Sequence, residues 1–270
     1  MTAIESFRDL RVLVTGASSG IGRALSLRLA REGARVALVA RRREELEALA
    51  AEIAAAGGEA VALPADVADR RQVEVCVEKA RAALGGIDLL VNNAGYGHHR
   101  PFLDWDTEDM EQLLHVNYFG ALYFTKALLP DMVARRRGWI VFVSSVAGRI
   151  APPDESAYAA SKFALTGLAS SLSHEVEPHG VHVLTVFPGV IRTPFFDAEA
   201  LAAMPPVARR GMVEVDGLVT AILRALERGR RELTHPRWMA AGYWAQTLAP
   251  RFLRRQLQRV TRRSREPSGS

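Results

Sequence analysis

Leu10 to Thr15 (L-R-V-L-V-T) is a short, apolar, β-branched run, and glycines follow it at 16, 20 and 22 before a helical stretch opens at Arg23. Such a run reads as a buried parallel strand. Strand, glycine-rich turn and helix N-terminus together make an anion site. Free backbone N–H groups and the helix dipole converge on one place, and the glycines let a phosphate approach the main chain. The candidate residues are Gly16, Ser18, Ser19, Gly20, Ile21 and Gly22. Their spacing is G-x-x-x-G-x-G. It is not a P-loop, because Arg23 follows Gly22 where Lys and Ser or Thr are needed. A plain structural turn is the alternative reading, and the strand–turn–helix context favours phosphate.

The same alternation continues along the chain. Strands are predicted over 35–40, 58–64, 87–91, 138–145, 181–187 and 231–234, and helices over 23–32, 69–84, 107–137 and 213–228, with another through Ala56 and one carrying Tyr158. No repeat or flexible linker divides Leu10 from Thr234. Strands alternating with helices mean one parallel α/β sheet covered on both faces, a single domain over residues 1–235.

Several polar residues fall at predicted strand ends, where open α/β sheets bind ligands. Arg41-Arg42-Arg43 follows the second strand, which ends in Ala40. In a dinucleotide fold an acid at this place bonds the ribose 2′-hydroxyl of NAD, and an arginine accommodates the 2′-phosphate of NADP. The assignment is made to Arg41, while Arg42 and Arg43 could equally be a solvated charge run. Asp66, followed by Val67, could cap a helix or touch the adenine. Asn93, Ala94 and Gly95 follow the fourth strand. His98-His99 has no third ligand in view, so no metal is expected. Asn117 is a polar residue in an apolar helical stretch and needs a partner.

Tyr158 and Lys162 stand four positions apart in S-A-Y-A-A-S-K-F-A-L, a helix-forming stretch, which places them one turn apart on one face. A nearby cation stabilises a phenolate, so the expectation is a tyrosine whose pKa is lowered from about 10 and which serves as an acid/base.

The composition, 49% hydrophobic and 24% charged, is that of a globular protein. No apolar run reaches the ~18 residues of a membrane span, and the N-terminus shows no signal-peptide pattern, so a cytoplasmic protein is expected. The lone Cys76 rules out an internal disulfide. The net charge of +5 is local: seven Arg and one Glu lie between Arg251 and Ser270. The body therefore has no electrostatic support for nucleic-acid binding. Residues 190–212, with Phe195, Phe196, Leu201, Met204 and Val207, read as an apolar lid over a substrate pocket. Residues 236–263 read as a basic amphipathic helical extension, suited to an anionic membrane surface or to packing on the body or a second subunit. Residues 264–270 are expected to be disordered.

T-G-A-S-S-G-I-G, N-N-A-G, V-S-S-V-A-G, Y-A-A-S-K and P-G-V-I-R-T-P occur in this order. With them the chain resembles the classical short-chain dehydrogenase/reductase family over roughly Leu10 to Thr234. The resemblance implies a Rossmann-type, doubly wound parallel sheet of about seven strands, assembled as a homodimer or homotetramer. It implies a catalytic tetrad of Asn117, Ser145, Tyr158 and Lys162, with Ser145 chosen over Ser144 by its spacing from the tyrosine. Tyr158 exchanges a proton with the substrate oxygen, Lys162 lowers its pKa and holds the nicotinamide ribose, Ser145 bonds the substrate oxygen, and Asn117 anchors a water. By the same analogy Asp66 and Val67 meet the adenine, Asn93 to Gly95 line the cleft, and Pro188, Gly189, Ile191 and Thr193 flank the nicotinamide. Many NADP-preferring members place a basic residue where this chain has Ser19. The expectation is an NADP(H)-dependent oxidoreductase for the carbonyl or secondary alcohol of a fairly apolar, steroid- or lipid-like small molecule. The alternative is a non-catalytic NADP(H)-binding sensor or scaffold with a membrane- or partner-binding tail.

Overall fold

The computed structural model describes residues 3–195, 211–252 and 254–256. Its centre is a seven-stranded sheet of β1 (Arg11–Thr15), β2 (Arg35–Ala40), β3 (Glu59–Pro64), β4 (Leu89–Asn92), β5 (Gly138–Val143), β6 (Val181–Pro188) and β9 (Glu232–His235). Every pairing is parallel, and the order is β3-β2-β1-β4-β5-β6-β9. The fold is the parallel α/β sheet covered on both faces that the alternating sequence predicts, in the seven-stranded Rossmann-type form that the resemblance implies. β7 (Ile191–Arg192) and β8 (Val213–Glu214) form a separate parallel pair.

Alternation along each strand divides the core. Val12, Val14, Val36 and Leu38 face one layer, made by α1 (Gly20–Arg31), α2 (Arg43–Ala55) and α7 (Val215–Glu227). Leu13, Ala37 and Val39 face the other, made by α3 (Arg70–Leu84), α5 (Gly120–Ala134) and α6 (Ser156–Val176). Successive side chains on a strand point to opposite faces, so a sheet covered twice needs continuous apolar runs. β6 is buried over all of its length.

Strand order reverses between β1 and β4, which opens a crevice at their C-terminal ends. The glycine-rich turn follows β1 and Asn93 follows β4, so both border that crevice.

The helical stretch expected over 107–137 is three elements. α4 (Thr107–Leu114) runs into a single π turn, His115–Phe119, and α5 continues from Gly120. The helix expected from Val213 starts at Val215, because Val213 and Glu214 pair with Ile191 and Arg192.

Beyond β9 lie a 3-10 turn, Arg237–Ala240, and α8 (Ala241–Leu248). Arg149 clamps α8 to the body: its guanidinium lies 4.1 Å from the Phe187 ring centre and 5.0 Å from that of Tyr243, and it pairs with Glu232. Phe196 and the rest of the lid to residue 210 lie outside the described residues, as do residues 257–270. Among the described residues no helix is long and apolar enough to cross a membrane.

Candidate active site

Thr15 ties the two strand ends together. Its hydroxyl accepts from the N–H groups of Asn93 and Ala94, both at 3.0 Å, and donates to the Val91 carbonyl. Asn93 Nδ2 donates to the carbonyl oxygen of Thr15 at 2.9 Å. Gly16 has φ +66, and a Cβ there would stand 2.8 Å from Asn93 Nδ2. A Cβ on Gly22 would meet the Gly16 carbonyl oxygen. These two positions admit only glycine, because one backbone must lie directly on another.

α1 opens at Gly20 with no side-chain cap from Ser19 and no acid in its first turn. Its leading N–H groups are left to an outside acceptor. The Thr193 side chain faces Gly20 across the turn, 3.3 Å from where a Cβ would stand. An uncapped helix end beside two obligatory glycines suits a dinucleotide pyrophosphate.

At the end of β2 the three arginines take different roles. Arg42 Nη2 donates to Ser18 Oγ at 2.9 Å, which brings this guanidinium onto the glycine-rich turn. Arg41 is exposed, and its charge is felt at Tyr96. Arg43 pairs with Glu47 on the outer face of α2. The sequence reading put Arg41 first; the residue that the geometry brings onto the turn is Arg42.

Asp66 does not cap α3. Asp69 does, accepting from the N–H groups of Arg71 and Gln72, while Asp66 Oδ1 accepts from Ala68 N in a local turn after β3. The Val67 side chain packs against Gly120 of α5. Gly189 N–H donates to the His235 carbonyl at 2.8 Å, and Ile191 is buried.

The four tetrad residues converge where β4, β5 and α6 meet. Asn117, buried in the π turn, bonds the Tyr96 backbone twice: Oδ1 accepts from its N–H at 3.0 Å and Nδ2 donates to its carbonyl at 2.9 Å. Nδ2 also donates to Ser161 Oγ at 2.9 Å. A π turn re-aims one side chain relative to the helices on either side. Gly95 lies against both Asn117 and Lys162, with its Cβ position 3.0 Å from Asn117 Oδ1 and 3.3 Å from Lys162 Nζ.

Ser145 begins the turn after β5, its hydroxyl accepting from Ala147 N and lying near enough to the Tyr158 phenol to hold its pKa down in part. Ser144 points the other way, bonded to Thr166 Oγ1 at 2.9 Å and to the Lys162 carbonyl. Of the two serines, Ser145 is the one that meets the tyrosine.

Lys162 is buried, and its Nζ donates to the Val143 carbonyl at 3.0 Å. Burial pushes its pKa down to about 8. Its Nζ lies 5.7 Å from the Tyr158 ring centre. The expected lowering of the Tyr158 pKa is absent in this geometry. Burial raises it well above the ordinary tyrosine value, the Ser145 hydroxyl partly opposes this, and the Glu155 carboxylate adds to it. The lysine bonds Val143 instead of the phenol, so desolvation of the phenolate dominates.

Three participants escaped the sequence reading. Gly97 lies flat against the Tyr158 ring. Ser161, one residue before Lys162, bridges Asn117 to the Tyr158 carbonyl. Glu155 holds His99 Nδ1 at 2.9 Å and raises the His99 pKa. The glycine in N-N-A-G-Y-G-H-H was the one local signal available. His98 contacts the rings of Tyr96 and Trp105.

The chain belongs to the short-chain dehydrogenase/reductase family, an oxidoreductase family that uses a nicotinamide cofactor. The family model described as short chain dehydrogenase matches residues 11–202. The chain is 41% identical over 194 residues to the oxidoreductase UcpA of Salmonella typhimurium, across 72% of this chain and 73% of that one. It is 39% identical over 193 residues to the 3-ketodihydrosphingosine reductase of Bos taurus, across 70% of this chain and 58% of that one. Among solved structures, a metagenomic short-chain oxidoreductase in complex with NADP superposes with a TM-score of 0.72 at 34% identity, covering 84% of this chain and 96% of its own.

Proposed function

We propose that this protein is an NADP(H)-dependent reductase of an apolar carbonyl compound, with Tyr158 as its proton donor. The observation that carries the reading is the Ser145 hydroxyl acting on the Tyr158 phenol beside the buried Lys162. A hydroxyl pair at the end of a parallel strand, with an amine behind it, is suited to one reacting oxygen.

When bound, the nicotinamide supplies hydride to a carbonyl carbon or takes it from an alcohol. The first-turn N–H groups of α1, Ser18 and the Arg41–Arg42 pair would hold its phosphates, since no acid stands at the end of β2 to repel them. Tyr158 gives its proton to the carbonyl oxygen as charge develops there, and Ser145 steadies that charge with a second hydrogen bond. A phenol pushed upward by burial stays protonated through the neutral range, which is the form that reduction needs. Lys162, held near 8 by burial, stands 5.7 Å from the Tyr158 ring centre as a store of positive charge behind the phenol.

Phe195, its ring centre 5.9 Å from that of Tyr158, supports an apolar substrate. So does the relative named as a reductase of 3-ketodihydrosphingosine. NADP is supported by Arg42 on Ser18 and by the neighbouring structure in complex with NADP. The test is NADPH oxidation across a panel of ketones and aldehydes, with NADH in parallel. Turnover with apolar carbonyls is expected. Tight NADPH binding without turnover of any carbonyl would favour a nucleotide sensor instead.

A further inference from the structure

α8 presents its apolar side to solvent. Trp244 and Leu248 stand one turn apart on α8 and are 70% and 77% exposed; Phe252 follows at 59%, and Trp238 precedes the helix at 62%. Tyr243, on the other side, packs on Phe187 and meets Thr234. A helix that packs only on its own core shows the reverse pattern. Leu248, Ala249, Pro250 and Phe252 line a niche flanked by the guanidinium groups of Arg251 and Arg255.

Charge and apolar surface therefore coincide. The sequence from Arg251 onward carries seven Arg and one Glu, against a net charge of +5 for the whole chain. Tryptophan and arginine on one surface is the composition of a bilayer interface, where indole rings enter the headgroup layer and guanidinium groups meet anionic lipid. A second copy fits less well, because a two-fold contact of this face would set arginines against arginines.

The same helix is joined to the substrate end of the crevice. Gly242 lies against Ile150, in the loop that Ser145 begins, and Met239 Sδ packs over Gly189. We propose that α8 with Arg251, Phe252 and Arg255 docks on an anionic phospholipid surface, and that docking presents the active-site mouth to the bilayer from which an apolar carbonyl is drawn. The second half of this proposal rests on the reductase reading above; the docking does not.

The test is co-sedimentation of the full chain with vesicles of phosphatidylcholine alone and of phosphatidylcholine with phosphatidylglycerol. Binding to the anionic vesicles is expected to be at least about tenfold tighter and to weaken with salt. Arg251→Gln with Arg255→Gln should loosen it about 30-fold, and Trp244→Ser with Phe252→Ser at least about tenfold. Equal affinity for the two vesicles, no binding, or wild-type binding by both double variants overturns the docking. So does a shift from dimer to monomer in sedimentation velocity for Trp244→Ser with Phe252→Ser, if anionic vesicles are not bound. Unchanged NADPH affinity in both double variants shows that they are folded. A wild type that binds anionic vesicles but reduces no carbonyl, including a long-chain methyl ketone embedded in them, supports the docking and overturns the uptake.

Discussion

The backbone of Gly97 lies against the ring of Tyr158, close enough that a Cβ at 97 would stand 2.7 Å from Cδ2. Backbone cannot easily yield there, so Gly97→Ala must displace the ring. The expected result is a fall in kcat/KM of at least about tenfold, since misplacement of a reacting group by about 1 Å can cost 100-fold. The melting temperature should move little. Full activity in this variant, measured by steady-state kinetics, would remove Gly97 from the site.

Tyr158→Phe removes the proposed proton donor and keeps the ring. Turnover should fall at least about 100-fold. NADPH affinity, followed by fluorescence titration, should hold within about threefold, less than the roughly tenfold change that 1.4 kcal/mol would produce. Retained turnover would refute the acid/base role.

Lys162 is held below its ordinary pKa, at about 8 instead of 10.5. Between those values the unfolded chain binds more protons than the folded one, so this group makes stability rise with pH from about 8 toward 10.5. Below about 8 the charged, buried amine is a standing cost. Lys162→Met should abolish turnover, flatten that rise in urea unfolding, and raise the melting temperature by roughly 3 °C near neutrality. A variant with the wild-type slope would show that Lys162 does not carry it.

His99 is held above its ordinary 6.5 by Glu155. The pair's contribution to stability is full below that ordinary value and is lost as pH rises through the higher, folded one. Glu155→Gln should bring the His99 titration, read by NMR, back down. It should also lower the Tyr158 pKa, since the carboxylate pushes that phenol upward. An unmoved His99 titration would break the pairing.

Arg42→Ala should weaken NADPH binding about 10- to 100-fold, the range for a charged hydrogen bond, and NADH binding much less. Arg41→Ala should act in the same direction. If neither variant changes the NADPH:NADH ratio, the arginines play no part in cofactor choice.

The alternating apolar runs showed the sheet in advance, because buried parallel strands leave little choice of residue: Leu10–Thr15 became Arg11–Thr15 and Val181–Phe187 became Val181–Pro188. Tyr158 and Lys162 were legible for the same reason, since helical spacing fixes a shared face. Contacts set by tertiary approach were not. Nothing local marks Arg42 over Arg41 as the residue that reaches Ser18. The Asp66–Asp69 choice turned on where α3 begins, which sequence places only to within a few residues. The direction of the Tyr158 pKa was set by the burial of the phenol, which depends on tertiary packing and is invisible to spacing. Residues 196–210, read as a lid, lie outside the described residues.

The π turn at His115–Phe119 sets α4 and α5 out of angular step with each other. A repeat template drawn through both helices would assign the wrong residues to the interior on one side of it. Deleting a single position there would restore a regular ladder and swing Asn117 off the Tyr96 backbone. Attempts to stabilise this scaffold by smoothing its helices would thus dismantle the candidate catalytic cluster, and the irregularity is a constraint that engineers of this protein must keep.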